Sequence, residues 1–209
     1  GGGGRRHRYG EPGEGLQGGG WGGTGGGAVS GAVAGAEEKR GGPMEVLGAN
    51  AGITRDGLLM RMSDEDFDAV IDTNLAGAFR CARRASKGMI KLRRGRIIFI
   101  SSVVGLYGSA GQANYSASKS ALVGLARSIS RELGGRGITA NVIAPGFVET
   151  DMTAELPEDL KKTYLAGIPA GRFAFSHEVA AAVRFIASVD AAYITGAVIP
   201  VDGGLGMGH

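Results

Sequence analysis

The sequence predicts an α/β domain with a doubly wound parallel sheet. From Met44 to the end, short β-branched runs alternate with longer segments of helical apolar spacing. The run Arg-Ile-Ile-Phe-Ile at 96–100 is apolar on successive residues, the pattern of a strand covered on both faces. Strand, helix, strand in repetition requires right-handed crossovers, which make neighbouring strands parallel.

Each element follows from local chemistry. Met44-Glu45-Val46-Leu47 is a short strand running into Asn50-Ala51-Gly52. Ser63 is placed to cap a long helix whose first turn carries Asp64, Glu65 and Asp66, where negative charge suits the helix dipole. That helix continues through Phe67, Val70, Asn74, Phe79 and Ala82 to Leu92. The strand at 96–100 ends at Ser101-Ser102, and a helix over 112–133 follows, terminated by Gly134-Gly135. The next strand, 138–144, stops at Pro145-Gly146. A helical segment over 151–166 is interrupted by Pro157. Ser176 is expected to cap a last helix through Ile186, and 197–201 is the closing strand.

The first 43 residues differ in texture. They hold 19 of the 40 glycines and show neither helical nor strand periodicity, so they are expected to stay unstructured and outside the folded domain, which spans 44–209. A match to Gly-x-Gly-x-x-Gly at Gly18, Gly20 and Gly23 is expected by chance in such a tract.

Composition narrows the function classes. At 209 residues and 43% hydrophobic content, the chain suits one globular domain with a large core. The net charge of +3 is small and no basic stripe carries interleaved aromatics, which argues against nucleic acid. No apolar run approaches the ~20 residues of a membrane span and no signal peptide is visible, so a cytoplasmic location is expected. Three scattered histidines and the single Cys81 suggest no metal site.

The chemistry concentrates at Tyr115-Ser116-Ala117-Ser118-Lys119. Spacing of four stacks the Tyr and Lys on one helical face. A fixed ammonium favours the phenolate, which makes the Tyr a candidate proton donor. In parallel sheets, ligands bind beyond the carboxyl ends of strands. Asn50, Ser102 and Pro145-Gly146 all stand at such ends, on one edge with Tyr115. Taken singly, Ser102 is also an ordinary turn residue, Asn74 an ordinary helix amide and Pro145-Gly146 an ordinary strand stop.

The ordered set Asn50-Ala51-Gly52, Asn74, Ser102, Tyr115-x-x-x-Lys119 and Pro145-Gly146-x-x-x-Thr150 resembles the short-chain dehydrogenase/reductase family from Pro43 to His209. Within it, Gly111-Gln112-Ala113-Asn114 before the Tyr and the ending 201–209 resemble actinobacterial 3-oxoacyl-acyl-carrier-protein reductases. The resemblance implies a Rossmann-like sheet that here lacks its first three strands. It implies NADP(H) as cofactor and candidate catalytic residues Asn74, Ser102, Tyr115 and Lys119. Tyr115 would protonate the carbonyl oxygen, Lys119 would lower the phenol's pKa and hold the nicotinamide ribose, Ser102 would bond the carbonyl oxygen, and Asn74 would hold a relay water. Asn50, Ala51, Gly52, Tyr115, Lys119, Pro145, Gly146, Val148 and Thr150 would line the cofactor. Arg93 and Arg136 would dock the acidic carrier protein beside the active-site entrance, and a homotetramer would form through the 67–92 and 112–133 helices.

The departure from the family lies upstream. No strand ending in Thr-Gly-x-x-x-Gly-x-Gly precedes Met44; Thr24-Gly25 begins such a motif, but Val29 stands where its second glycine belongs. The mechanism needs a helix amino terminus directly after a strand to face the pyrophosphate. Residues 1–43 therefore read as foreign to the family, of the kind a shifted reading frame in GC-rich DNA produces. Two functions follow: a 3-oxoacyl-carrier-protein reductase, or an inactive partial reductase that binds only subunits or carrier protein.

Overall fold

The computed structural model describes residues 26–149, 153 and 157–207. Its centre is a four-stranded parallel sheet in the order β1 (Val46–Ala49), β2 (Gly95–Ile100), β3 (Ile138–Pro145), β4 (Val198–Val201). The helices are α1 (Gly26–Arg40), α2 (Asp64–Ile71), α3 (Gly77–Leu92), α4 (Val104–Tyr107), α5 (Ala113–Leu133), α6 (Glu158–Ala166) and α7 (Ser176–Ala187).

Alternation along the strands sorts the core into two layers. Ile97, Phe99, Ala140 and Val142 pack with Ala82, Ala85 and Met89 of α3 and Leu122 and Ala126 of α5. Ile98 and Ile143 face the other way, onto Ile186 of α7 and Ala191. This is the two-sided burial expected of the apolar run at 96–100. Among the described residues, no helix is long and apolar enough to cross a membrane.

Several boundaries depart from the sequence reading. Met44 and Glu45 lie outside β1: the Met44 amide bonds the Glu37 side chain, and Glu45 meets β2 only through its carbonyl, which accepts from Arg96 N at 2.9 Å. Ser63 caps α2 as expected, its Oγ accepting from Asp66 N at 3.1 Å, but the expected single helix to Leu92 contains a π-helical stretch, Asp72–Ala76. Ser176 is the first residue of α7 and not its cap; the Glu178 carboxylate takes that role by accepting from Phe175 N at 2.8 Å. The reversal after α5 depends less on Gly134-Gly135, which form a 3-10 turn, than on Gly137 at φ 72°.

The largest difference is α1. The segment before Met44 was expected to carry no structure, yet Gly26–Arg40 is a helix packed against α3. Val33 is buried, and Glu37 pairs with Arg84 of α3 at 2.8 Å. Pro43 closes onto Gly88, where a Cβ would lie 2.9 Å from Pro43 Cβ. The helix is held by these tertiary contacts and not by an apolar stripe, which is why periodicity did not reveal it. β1 is an edge strand among the described residues, with Val46 partly exposed.

At Gly137, a Cβ would stand 2.6 Å from the Arg93 carbonyl oxygen, in backbone that L-residues rarely adopt. Gly137→Ala should lower stability by about 2 kcal/mol in urea unfolding.

Candidate active site

Every element of the site ends at the carboxyl edge of the sheet. β2 delivers Ser101 and Ser102; α5 begins there with Tyr115 and Lys119; β1 delivers 50–52; β3 delivers Pro145 and Gly146. The chain brings together Ser102, Tyr115, Lys119, Asn74 and Gly52.

Lys119 is buried, and its Nζ donates to the Ile100 carbonyl at 2.9 Å, 5.7 Å from the centre of the Tyr115 ring. Ser101 Oγ donates to the Lys119 carbonyl at 2.8 Å, so the end of β2 grips α5 at that residue. α4 crosses the same point: a Cβ on Gly105 would lie 2.8 Å from Lys119 Cβ. Ser102 stands near enough to the Tyr115 phenol to favour its ionised form, and its Oγ accepts from Val104 N at 3.2 Å.

Asn74 sits in the π-helical stretch, where one extra residue per turn rotates it inward. It is buried; its Oδ1 accepts from Ile53 N at 2.8 Å, and its Nδ2 donates to Ile53 O at 3.0 Å and Ser118 Oγ at 3.1 Å. At Gly52, a Cβ would lie 3.3 Å from Lys119 Nζ and 3.4 Å from Asn74 Oδ1. A side chain there would press against both groups, which glycine leaves uncovered.

Lys119 was expected to pull the phenol's pKa down; the net shift of Tyr115 is upward, because burial of the phenol itself outweighs what favours its ionisation, with Ser102 opposing the rise and the Asp56 carboxylate adding to it. Lys119 is desolvated as well: burial lowers it from 10.5 to about 8.

The other expected residues divide. Asn50 and Ala51 are exposed beyond β1, Pro145 and Gly146 lie at the end of β3, and Val148 bridges to Ala174. Gly146 permits close backbone approach, since a Cβ there would lie 2.8 Å from Asp202 Cα. Thr150 lies outside the described residues. Arg93 and Arg136 do stand together, with Arg93 donating to Gly135 O at 3.3 Å, but they precede β2 and β3. They occupy the amino edge of the sheet, about 20 Å along the strands from Tyr115. They are not beside the entrance of their own chain's site, because residues before a parallel strand emerge at the edge opposite those after it.

Sequence reasoning gave no role to Asn114. It is fully buried, donates to Arg55 O at 2.8 Å and accepts from Tyr115 N at 2.7 Å. An amide directly before the Tyr, at a helix start, was the available signal. Gly105 gave none, since its role is to be absent where α4 meets α5.

A family profile described as Enoyl-(Acyl carrier protein) reductase matches residues 26–206. The chain belongs to the short-chain dehydrogenase/reductase family. It is 56% identical over 172 residues to 3-oxoacyl-[acyl-carrier-protein] reductase MabA of Mycobacterium avium, covering 82% of this chain and 68% of that protein. It is 55% identical over 174 residues to MabA of Mycobacterium tuberculosis, covering 83% and 70%. To 3-oxoacyl-[acyl-carrier-protein] reductase FabG of Escherichia coli it is 52% identical over 166 residues, covering 79% and 68%. The reductase-family match begins at residue 26, so it takes in α1, inside the segment that the sequence reading had set outside the family.

Because Lys119 titrates near 8 when folded and at 10.5 ordinarily, the unfolded chain holds more protons between those values. The Lys119 contribution to stability therefore rises with pH through that window, and at neutral pH the buried charge is destabilising. Lys119→Met should stabilise the fold at pH 7 by about 1–3 kcal/mol in denaturant unfolding, after loss of the bond to Ile100 O, and the gain should shrink toward pH 10.

Proposed function

We propose that the protein is a cytoplasmic, NADPH-dependent reductase that converts 3-oxoacyl groups on acyl-carrier protein to 3-hydroxyacyl groups in fatty-acid synthesis. The observation that carries this reading is the phenol of Tyr115, set beside Ser102 and a buried ammonium 5.7 Å from its ring, at the sheet edge where ligands of parallel sheets bind.

The residues fit the nicotinamide end of the cofactor. Gly52 leaves open the space between Lys119 Nζ and Asn74 Oδ1, and Gly146 keeps the end of β3 close to Asp202. Asn50, Ala51, Gly52, Pro145, Gly146 and Val148 would line that groove, and Lys119 would hold the ribose hydroxyls. NADPH, when bound, supplies the hydride.

The chain's own residues handle the oxygen. As negative charge develops there, Ser102 donates a hydrogen bond and Tyr115 gives up its proton; donors fixed in advance favour the transition state over the ground state. A phenol held protonated by burial is suited to be the acid of a reduction. Asn74, with one Oδ1 lone pair beyond its bonds to Ile53 and Ser118, holds the water that returns the proton.

Further copies assemble as a homotetramer through the outer faces of α2, α3 and α5, where Phe67 and Phe79 are exposed. α5 runs about 31 Å from Tyr115 to the turn that carries Arg136. A carrier protein docked on Arg93 and Arg136 thus delivers its acyl chain to a neighbouring copy, not to the chain that holds it.

A second reading is favoured by one observation. β1 is the sheet edge among the described residues, on the side where the family's nucleotide-binding strands would pair. A chain without them is an inactive partial reductase that keeps only subunit and carrier contacts.

NADPH oxidation with an acetoacetyl thioester separates the two. Turnover that Tyr115→Phe lowers by about 10²–10⁴-fold is expected of the reductase. A folded chain without turnover belongs to the second reading.

A further inference from the structure

Three consecutive residues of the loop after β1 are tied to the four residues that lead into Tyr115. Arg55 O accepts from Asn114 Nδ2 at 2.8 Å, Gly57 N donates to Gly111 O at 2.8 Å, and between them Gln112 Nε2 donates to both Asp56 carboxylate oxygens at 3.2 and 3.1 Å. An exposed amide–carboxylate contact alone would contribute little. Here it is flanked on both sides by backbone bonds, one of them from a fully buried side chain, so its geometry is fixed by its neighbours.

We propose that Asp56 and Gln112 form a latch that positions the proton donor: it pins the loop onto the segment entering α5 and fixes the Asp56 carboxylate against that segment, three residues before Tyr115. This rests on the reading of Tyr115 as the acid.

The titratable groups around that phenol come from several elements. Lys119 lies on its own helix. Asp56 and Arg55 lie on the loop, where Arg55 is 3.9 Å from Asp66 at the start of α2. The Tyr107 phenol of α4 is raised by its own burial and, second, by the Asp202 carboxylate. Asp56 is thus the carboxylate that acts on Tyr115, in the direction that keeps its proton on. A negative charge opposes phenolate formation. The ammonium of Lys119 favours phenolate, so the two side chains pull the acid in opposite directions, and the latch fixes how strongly Asp56 pulls.

The test reads the phenol directly. An ultraviolet difference titration of the full chain against Tyr115→Phe isolates the Tyr115 transition from the other tyrosines. The same comparison is then made in an Asp56→Asn background and in a Gln112→Ala background. Asn at 56 keeps an oxygen for Gln112 but loses the charge; Ala at 112 keeps the charge but frees it. Both variants should titrate Tyr115 at lower pH than the parent, and the alkaline limb of the reductase kcat profile should move down with it, since reduction requires the protonated phenol. A Tyr115 midpoint that is unchanged or higher in both variants overturns the latch. Because the titration needs no turnover, a chain that is inactive with every substrate would sink the reductase reading alone and leave the latch to be decided by the spectra.

Discussion

Lys119 brings a charged group where water has little access, and the site is arranged around accommodating it. Its ammonium is satisfied by the Ile100 carbonyl, one of the last acceptors of β2, so the end of that strand cannot move independently of α5. Ser101 repeats the tie from the opposite direction through the Lys119 carbonyl, and α4 crosses so closely that Gly105 has no side chain to spare. Removing an ammonium from water is costly unless it finds partners. The structure meets that cost with backbone rather than with a carboxylate, which leaves the positive charge uncancelled beside Tyr115.

Around this fixed point, the loops are held by amides. Asn74 reads both backbone groups of Ile53 and reaches Ser118; Asn114 reads Arg55 and the Tyr115 amide. Each asparagine is buried and uses donor and acceptor together, the condition under which a buried amide organises structure and does not weaken it. The π-helical stretch belongs to the same logic. An uninterrupted α-helix from Asp64 to Leu92 would present a different residue inward at this height, and Asn74 would not meet Ile53.

The sheet and its layers were legible because they rest on patterns the chain repeats. The apolar run at 96–100 announced a strand covered twice, and Ile97 and Phe99 do face α3 and α5 while Ile98 faces α7. Tyr115, Lys119, Ser102 and Asn74 were legible as an ordered set, since strand ends in a parallel sheet have one destination. What stayed hidden depends on contacts between distant segments. α1 has no apolar stripe and is held by Glu37, Val33 and the Gly88 notch, none of which local spacing can foretell. The direction of the Tyr115 pKa escaped for a related reason: four-residue spacing gives the nearness of Lys119 but not the burial of the phenol itself, which raises it. Arg93 and Arg136 were expected beside the site entrance but lie at the opposite edge of the sheet, because a linear motif does not say on which side of a strand it falls.

The two core layers are unequal. On the α3 and α5 side, a broad set of side chains from three strands and two helices interlocks; on the α7 side, Ile98, Ile143, Ile186 and Ala191 make up the fully buried set, and Phe185 and Val189 remain exposed nearby. Opening free energy follows buried apolar contact, so the molecule has a firm half and a loose half. Tyr115, Lys119 and both organising asparagines lie on or beside α5, on the firm side. α7 and β4 belong to the loose one. Opening on the α7 side therefore costs less than opening on the α3 and α5 side, where Lys119, Asn74 and Asn114 are buried.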